Sequence, residues 1–250
     1  MVVDATFLLF ATPAVLFAGI SKGGFGSGAA FAAAPFLALV VEPGEAIGLM
    51  LPLLMLMDLG AVRAYWRKWD AEAAKLLIVG SLPGIAAGAA LYTVANADLF
   101  RLLIGLVALG FVVYRLARAR GWLATRGHIM GRTAGFGWGA VAGLTSFISH
   151  AGGPPAAVYL LTQGFSKTTY QATTVITFWA INAVKLPPYL ALGIFTRETL
   201  IADLFLAPVA LLGIWLGVVL HRMVPDRWFF MLAYVFLTIT GAKLIFDALT

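Results

Sequence analysis

Little of this chain can face water, and that constrains its fold more than anything else. Apolar stretches occupy residues 2–20, 29–41, 46–66, 75–94, 99–116, 133–148, 155–162, 170–192, 200–220 and 228–249, with short polar connections between them. Most approach the ~20 residues that a helix needs to cross the hydrocarbon of a bilayer. Only 11% of residues are charged and 62% are hydrophobic, whereas a soluble domain carries roughly 25% charged residues. The pattern predicts an all-α polytopic membrane protein rather than a soluble enzyme with an anchor. The stretch 2–20 contains Asp4 and no early Lys or Arg. It lacks a signal-peptide n-region and reads as a retained segment.

Two apolar stretches are too short to span. Residues 29–41 would cover roughly 20 Å as a helix, and 155–162 still less. Each follows a polar, glycine-dense break, Gly19-Ile-Ser-Lys-Gly-Gly-Phe-Gly-Ser-Gly28 in the first half and Thr145-Ser-Phe-Ile-Ser-His-Ala-Gly-Gly-Pro-Pro155 in the second. Each glycine costs a helix interior ~1 kcal/mol relative to alanine. At membrane depth, irregular backbone is tolerated only where it is buried in protein or lines a watery cavity. The expectation is a broken or re-entrant helical hairpin at each break, followed by three transmembrane helices.

The halves also resemble each other. One constant shift places Ala18-Gly19 on Ala142-Gly143, Ser27-Gly28 on Ala151-Gly152, Asp58 on Asn182 and Tyr65 on Tyr189. The reading is a first repeat over 1–119, a basic cytoplasmic linker over 120–132 and a second repeat over 133–250, in one membrane domain. An odd number of crossings per half inverts one repeat relative to the other. Inverted repeats with broken helices at their interface are a common plan of secondary transporters. Pairs such as Gly84/Gly88, Gly139/Gly143 and Gly213/Gly217 suit close helix contacts.

Charge sets the orientation. With this topology one side holds most of the Lys and Arg, including Arg63, Arg67, Lys68, Arg115, Arg118 and Arg132. The other side holds Arg101, Arg197 and Lys243 beside Asp4, Glu42, Glu45 and Asp98. Basic loops stay cytoplasmic, so both termini are expected in the periplasm. The positive charge is a topology signal and not a nucleic-acid surface.

The breaks concentrate the polar chemistry. Ser21, Lys22 and Ser27 supply donors, and Gly23, Gly24, Gly26 and Gly28 let backbone approach a ligand. The second break offers Ser146, Ser149, His150, Gly152 and Gly153, with Pro154 and Pro155 suited to a helix start. Two helix starts meeting at the midplane would bind an anion through free N–H groups and aligned dipoles. The plainer alternatives are an ordinary cytoplasmic Lys22, glycines that serve packing, and a neutral His150 bonded to a carbonyl. Within the long spans, Asp58, Asn182, Lys185 and Tyr189 stand out, the last three on one helix face. An ionisable group at membrane depth is a functional candidate. Asp58 and Lys185 occupy nearly equivalent positions in the two halves, so the simplest expectation is that they pair. Lys22 would then be the uncompensated positive charge, suited to an anionic substrate. Asp58 and His150 are also candidates for proton coupling.

Enzymatic readings are weak. The serine of Gly24-Phe-Gly-Ser-Gly28 falls one place late for a nucleophile elbow, and a Ser27–His150 hydrolase lacks an orienting third group. His128, His150 and His221 lack metal-ligand spacing, and there is no cysteine. No cofactor or metal is expected.

The segment Ala18–Gly28 continuing to Pro35 and Pro52, together with His150-Ala-Gly-Gly-Pro154, Asn182-Ala-Val-Lys185 and Tyr189, resembles the sulfite exporter TauE/SafE family over nearly the whole chain. The resemblance implies a transporter of sulfite, sulfoacetate or another organosulfonate in the bacterial inner membrane, working as importer or exporter. The counterpart of Lys185 in the first half is Ala61, so a symmetric two-lysine site is not expected. The substrate partner would be a small anion, lipid would surround the protein, and an oligomer is left open. The rival readings are a passive anion channel, a Ser/His intramembrane hydrolase and a ligand-free assembly factor.

Overall fold

Short polar caps set where the helices begin. The carboxylates of Asp4 and Asp70 accept the N–H of Phe7 and Ala73, each at 2.8 Å, and Asn96 and Ser166 do the same for Leu99 and Thr169. Such caps satisfy donors that the first helical turn leaves free. A computed structural model of the chain describes residues 4–25, 30–122, 129–220 and 226–250, and no strand occurs among them. In order the helices are α1 (Ala5–Ile20), α2 (Ala33–Leu37), α3 (Pro43–Ala64), α4 (Ala71–Val94), α5 (Ala97–Ala119), α6 (Arg132–Ser149), α7 (Gly153–Leu160), α8 (Lys167–Ala191), α9 (Arg197–Leu220) and α10 (Asp226–Leu249). Six stretches among the described residues are long and apolar enough to cross a membrane: Ala5–Gly24, Pro43–Arg63, Ala71–Val94, Ala97–Ala119, Arg197–Leu220 and Phe230–Leu249. The protein is an all-α polytopic membrane protein.

The first break differs from expectation. The helix does not stop at Gly19 but runs on as a π-helical turn, Ser21–Phe25, and the chain resumes at a 3₁₀ turn, Ala30–Ala32, that leads into α2. A π turn carries one residue more per turn than an α-helix, which reorients the side chains around it. Here that turn carries Lys22. Gly26, Ser27 and Gly28 lie outside the described residues, as do residues 123–128 of the linker. The second break is a true chain reversal. It ends α6 at His150 and restarts at Gly153, with prolines in the first turn of α7.

Two helix pairs touch almost backbone to backbone. A Cβ on Gly139 of α6 would lie 2.7 Å from the Leu77 carbonyl of α4, and one on Gly19 of α1 would lie 2.8 Å from the Ala210 carbonyl of α9. Elsewhere α5 packs on α10, and α3 packs on both α8 and α9. The apolar core gathers around α3, where Ile47, Leu49, Met50, Leu51 and Met57 are fully buried. The polar residues of the two breaks close on this helix.

Candidate functional site

The π turn aims Lys22 at α3. Its ammonium donates to Oδ1 of Asp58 and, at 3.3 Å, to the Leu54 carbonyl. The two side chains are 5% and 3% exposed, so the pair is buried. The other carboxylate oxygen, Oδ2, accepts from Asn182 Nδ2 of α8 at 2.9 Å. Asp58 and Asn182 are 124 residues apart, the same shift that superposes the two halves of the sequence.

The second break builds a different cluster. His150 closes α6 in the left-handed region, at φ 56° and ψ 14°, where histidine is one of the few tolerated side chains. Its backbone N–H donates to the Ser146 carbonyl at 2.9 Å. Its Nε2 lies 2.9 Å from the Ile47 carbonyl of α3. A carbonyl only accepts, so Nε2 carries the hydrogen and donates it. The opposite nitrogen, Nδ1, is left as an acceptor, and Lys185 Nζ stands 2.8 Å from it. Lys185 also donates to the Ser146 carbonyl at 3.1 Å and sits 5.7 Å from the centre of the Tyr189 ring. It is fully buried, and no described carboxylate is within ion-pair distance of it.

The expected pairing is thereby exchanged. Asp58 pairs with Lys22, not Lys185, and the uncompensated ammonium is Lys185, not Lys22. Two placements cause this. The π turn swings Lys22 over Asp58, and the long stem of Lys185 reaches instead to acceptors at the end of α6.

A cavity of about 20 Å³ lies between the clusters, lined by Lys22, Ala30, Phe31, Leu54, Ser146, His150, Gly153, Phe178 and Asn182. That is room for about one water. Five sequence candidates therefore line it: Lys22, Ser146, His150, Gly153 and Asn182. Other candidates among the described residues play supporting parts. Tyr189 donates its hydroxyl to the Phe147 carbonyl at 2.8 Å, and Ser149 donates to the Thr145 carbonyl at 3.4 Å. Ser21 is buried on the π turn beside Lys22. Gly23 and Gly24 were expected to admit a ligand, but they admit α9: a Cβ on Gly217 would lie 2.9 Å from the Gly24 nitrogen and 3.0 Å from Gly23 Cα. Gly152 likewise packs against the Ala142 carbonyl and the Phe178 ring, each 2.7 Å from a notional Cβ. The helix starts expected to bind an anion belong to short helices, since α2 has five residues and α7 has eight.

Phe31, Leu54, Phe178 and the Ile47 carbonyl escaped the sequence reading, because apolar residues inside apolar stretches carry no distinguishing signal. Asp203 did carry one, an acid within the run 200–220. It is buried on α9, and neither carboxyl oxygen has a hydrogen-bond partner among the described residues.

A family model described as sulfite exporter TauE/SafE matches residues 11–244. The chain belongs to the sulfite exporter TauE/SafE family. No curated protein and no solved structure matches it. The TauE/SafE match takes in both breaks and every residue of the two polar clusters, and it agrees with a multi-pass membrane protein engaged in transport.

Proposed function

We propose that this TauE/SafE protein is a secondary transporter that moves a small sulfur-containing anion, sulfite, sulfoacetate or another organosulfonate, across the bacterial inner membrane by alternating access, driven by a proton or other gradient. The observation that carries this reading is Lys185, a fully buried ammonium with no carboxylate partner among the described residues. A charge in that position is costly and in membrane proteins marks a substrate or ion pathway. The anion would be gripped by Lys185 and His150, with Asn182, Ser146 and Lys22 around it.

Two features support inverted repeats. Asp58 and Asn182, matched by the sequence shift, meet each other across the centre. Helix α1 of the first half packs on α9 of the second, and α6 of the second packs on α4 of the first. On the positive-inside rule, both termini are periplasmic. A one-water cavity favours a gated carrier over an open channel. The engagement of both His150 ring nitrogens argues against a serine hydrolase.

The test is thermal stability of the detergent-purified protein against sulfite, sulfoacetate, taurine, an aromatic sulfonate, sulfate and acetate. A ligand at ~100 times its dissociation constant stabilises the folded state by ~2.7 kcal/mol. The expected result is a shift with a sulfur anion that Lys185→Ala abolishes. Silence with every anion on cooperatively melting protein would sink the reading.

A further inference from the structure

The two buried clusters have a fixed charge balance. Lys22 and Asp58 cancel, and Asn182 occupies the remaining oxygen of Asp58. Lys185 and His150 share a single hydrogen bond, Nζ to Nδ1 at 2.8 Å, which requires one of the two nitrogens to lack a proton. That bond rules out an ammonium facing an imidazolium, and with Lys185 charged, as the transport reading has it, the pair carries one positive charge. The other titratable groups facing His150 are Tyr189 on α8, with ring centroids 6.4 Å apart, Lys22 on the π turn and, behind Lys22, Asp58 on α3. The tyrosine is neutral and the last two cancel. The net charge of the site is plus one.

Resting on the transport reading above, we propose that the site accepts one net negative charge: a monoanion alone, or a dianion together with one proton seated on His150 Nδ1. An anion brought into a dry interior needs its charge met there. A monoanion achieves this by drawing Lys185 Nζ off the imidazole. A dianion leaves one negative charge over. Once Lys185 turns to the anion, Nδ1 has lost its hydrogen-bond partner and points at the same space. A proton from bulk water can add there, and the imidazolium then donates from Nδ1 to the anion while Nε2 keeps the Ile47 carbonyl. The new N–H forms as the bond from that proton to its donor in solution, hydronium or a buffer acid, breaks, and no other covalent bond changes. The dianion, the proton and the positive site sum to zero. Asp58 cannot serve as the seat. Both its oxygens are held, and protonating it would strand Lys22 as a second unpaired ammonium beside Lys185.

The experiment is calorimetric binding to the full-length, detergent-purified protein in Tris and in triethanolamine, whose ionisation heats differ, so that the heat difference counts protons. Methanesulfonate is the monoanion probe, and sulfite at mildly alkaline pH is the dianion probe. The expected result is no proton taken up with methanesulfonate and one with each sulfite. The apparent dissociation constant for the sulfite dianion should then rise about tenfold per pH unit. His150→Asn keeps a residue that tolerates the left-handed backbone. It should remove the proton uptake and weaken sulfite binding more than methanesulfonate binding. Sulfite binding to the wild type without proton uptake overturns the proposal, as does uptake that persists in His150→Asn. If that variant does not fold, the wild-type count with sulfate, a dianion that takes up no proton of its own at this pH, decides: one proton per sulfate bound supports a seat on the protein, and none overturns it. If neither anion binds folded wild type, the anion site itself is wrong and the transport reading falls with the inference. A wrong proton count with intact binding refutes the inference only.

Discussion

Removing the carboxylate of Asp58 separates a structural ion pair from a substrate site. The side chains of Asp58 and Lys22 are 3% and 5% exposed, so water screens the pair very little. In Asp58→Asn, the Lys22 ammonium keeps the Leu54 carbonyl at 3.3 Å and at most a neutral amide oxygen in place of the carboxylate. Breaking a buried pair from one side costs about 3–5 kcal/mol, because the remaining charge stays desolvated and uncompensated. Lys22→Met should cost a similar amount, as it leaves the carboxylate with Asn182 alone. The double variant Lys22→Met/Asp58→Asn strands no charge, and the amide that replaces the carboxylate can still accept from Asn182. Much of the loss should return, with a coupling energy up to about 3 kcal/mol. The assay is reversible unfolding of the four proteins by SDS titration in mild detergent. The double variant should also keep its sulfite-induced stabilisation, because the net charge of the site is unchanged. Two results would refute the reasoning. One is a loss in Asp58→Asn below about 1 kcal/mol, the value of an exposed pair. The other is a double variant as unstable as the sum of the single ones.

Three further outcomes follow from the geometry. Gly110 of α5 has no atom within 4 Å of a notional Cβ, whereas Gly139 would meet backbone of α4; in the same titration Gly110→Ala should gain about 1 kcal/mol of helix propensity, and Gly139→Ala should lose stability. Tyr189→Phe removes the 2.8 Å bond to the Phe147 carbonyl and should cost about 1 kcal/mol without abolishing the anion-induced melting shift, since the hydroxyl is committed to that carbonyl and the site's charge is unchanged. Asp203→Leu replaces a buried carboxyl that has no partner among the described residues and should raise stability by about 1–3 kcal/mol, the cost of an unsatisfied buried polar group; lost stability would mean that Asp203 has a partner.

Helix count and limits were legible because membrane helices are written in length and hydropathy. The stretch 133–148 emerges as Arg132–Ser149, and 200–220 as Arg197–Leu220. The short limbs were legible as well, since the prolines at 154 and 155 and the brevity of 155–162 leave room for nothing longer than α7. Which charge pairs with which was not legible. Lys22 and Lys185 can both reach toward the protein centre, and the choice depends on a π turn that one-dimensional periodicity does not reveal. The glycines were ambiguous for a related reason. Gly23, Gly152 and Gly153 share a composition, but Gly23 faces α9, Gly152 faces α6 and Phe178, and Gly153 lines the cavity. A missing side chain invites whichever surface lies nearest, and only the fold decides whether that is a helix or a ligand.

The polar connections also bear on what must move. Helix α3 supplies Asp58 and the Ile47 carbonyl, and α8 supplies Asn182 and Lys185, so these two central helices hold both breaks. The first break is tied to them by an ion pair between groups of opposite charge. The second is tied by Lys185 to His150 and to the Ser146 carbonyl, bonds between a cation and neutral acceptors. An arriving anion competes with each tie differently. At the first break it would have to displace a carboxylate and leave that carboxylate buried. At the second it displaces only an imidazole nitrogen and a carbonyl, and adds an attraction that neither supplied. The cavity, with room for about one water, must widen to admit a sulfonate. On the transport reading the tie that yields is therefore the one between Lys185 of α8 and the end of α6, while the first break stays bound to α3 through Lys22.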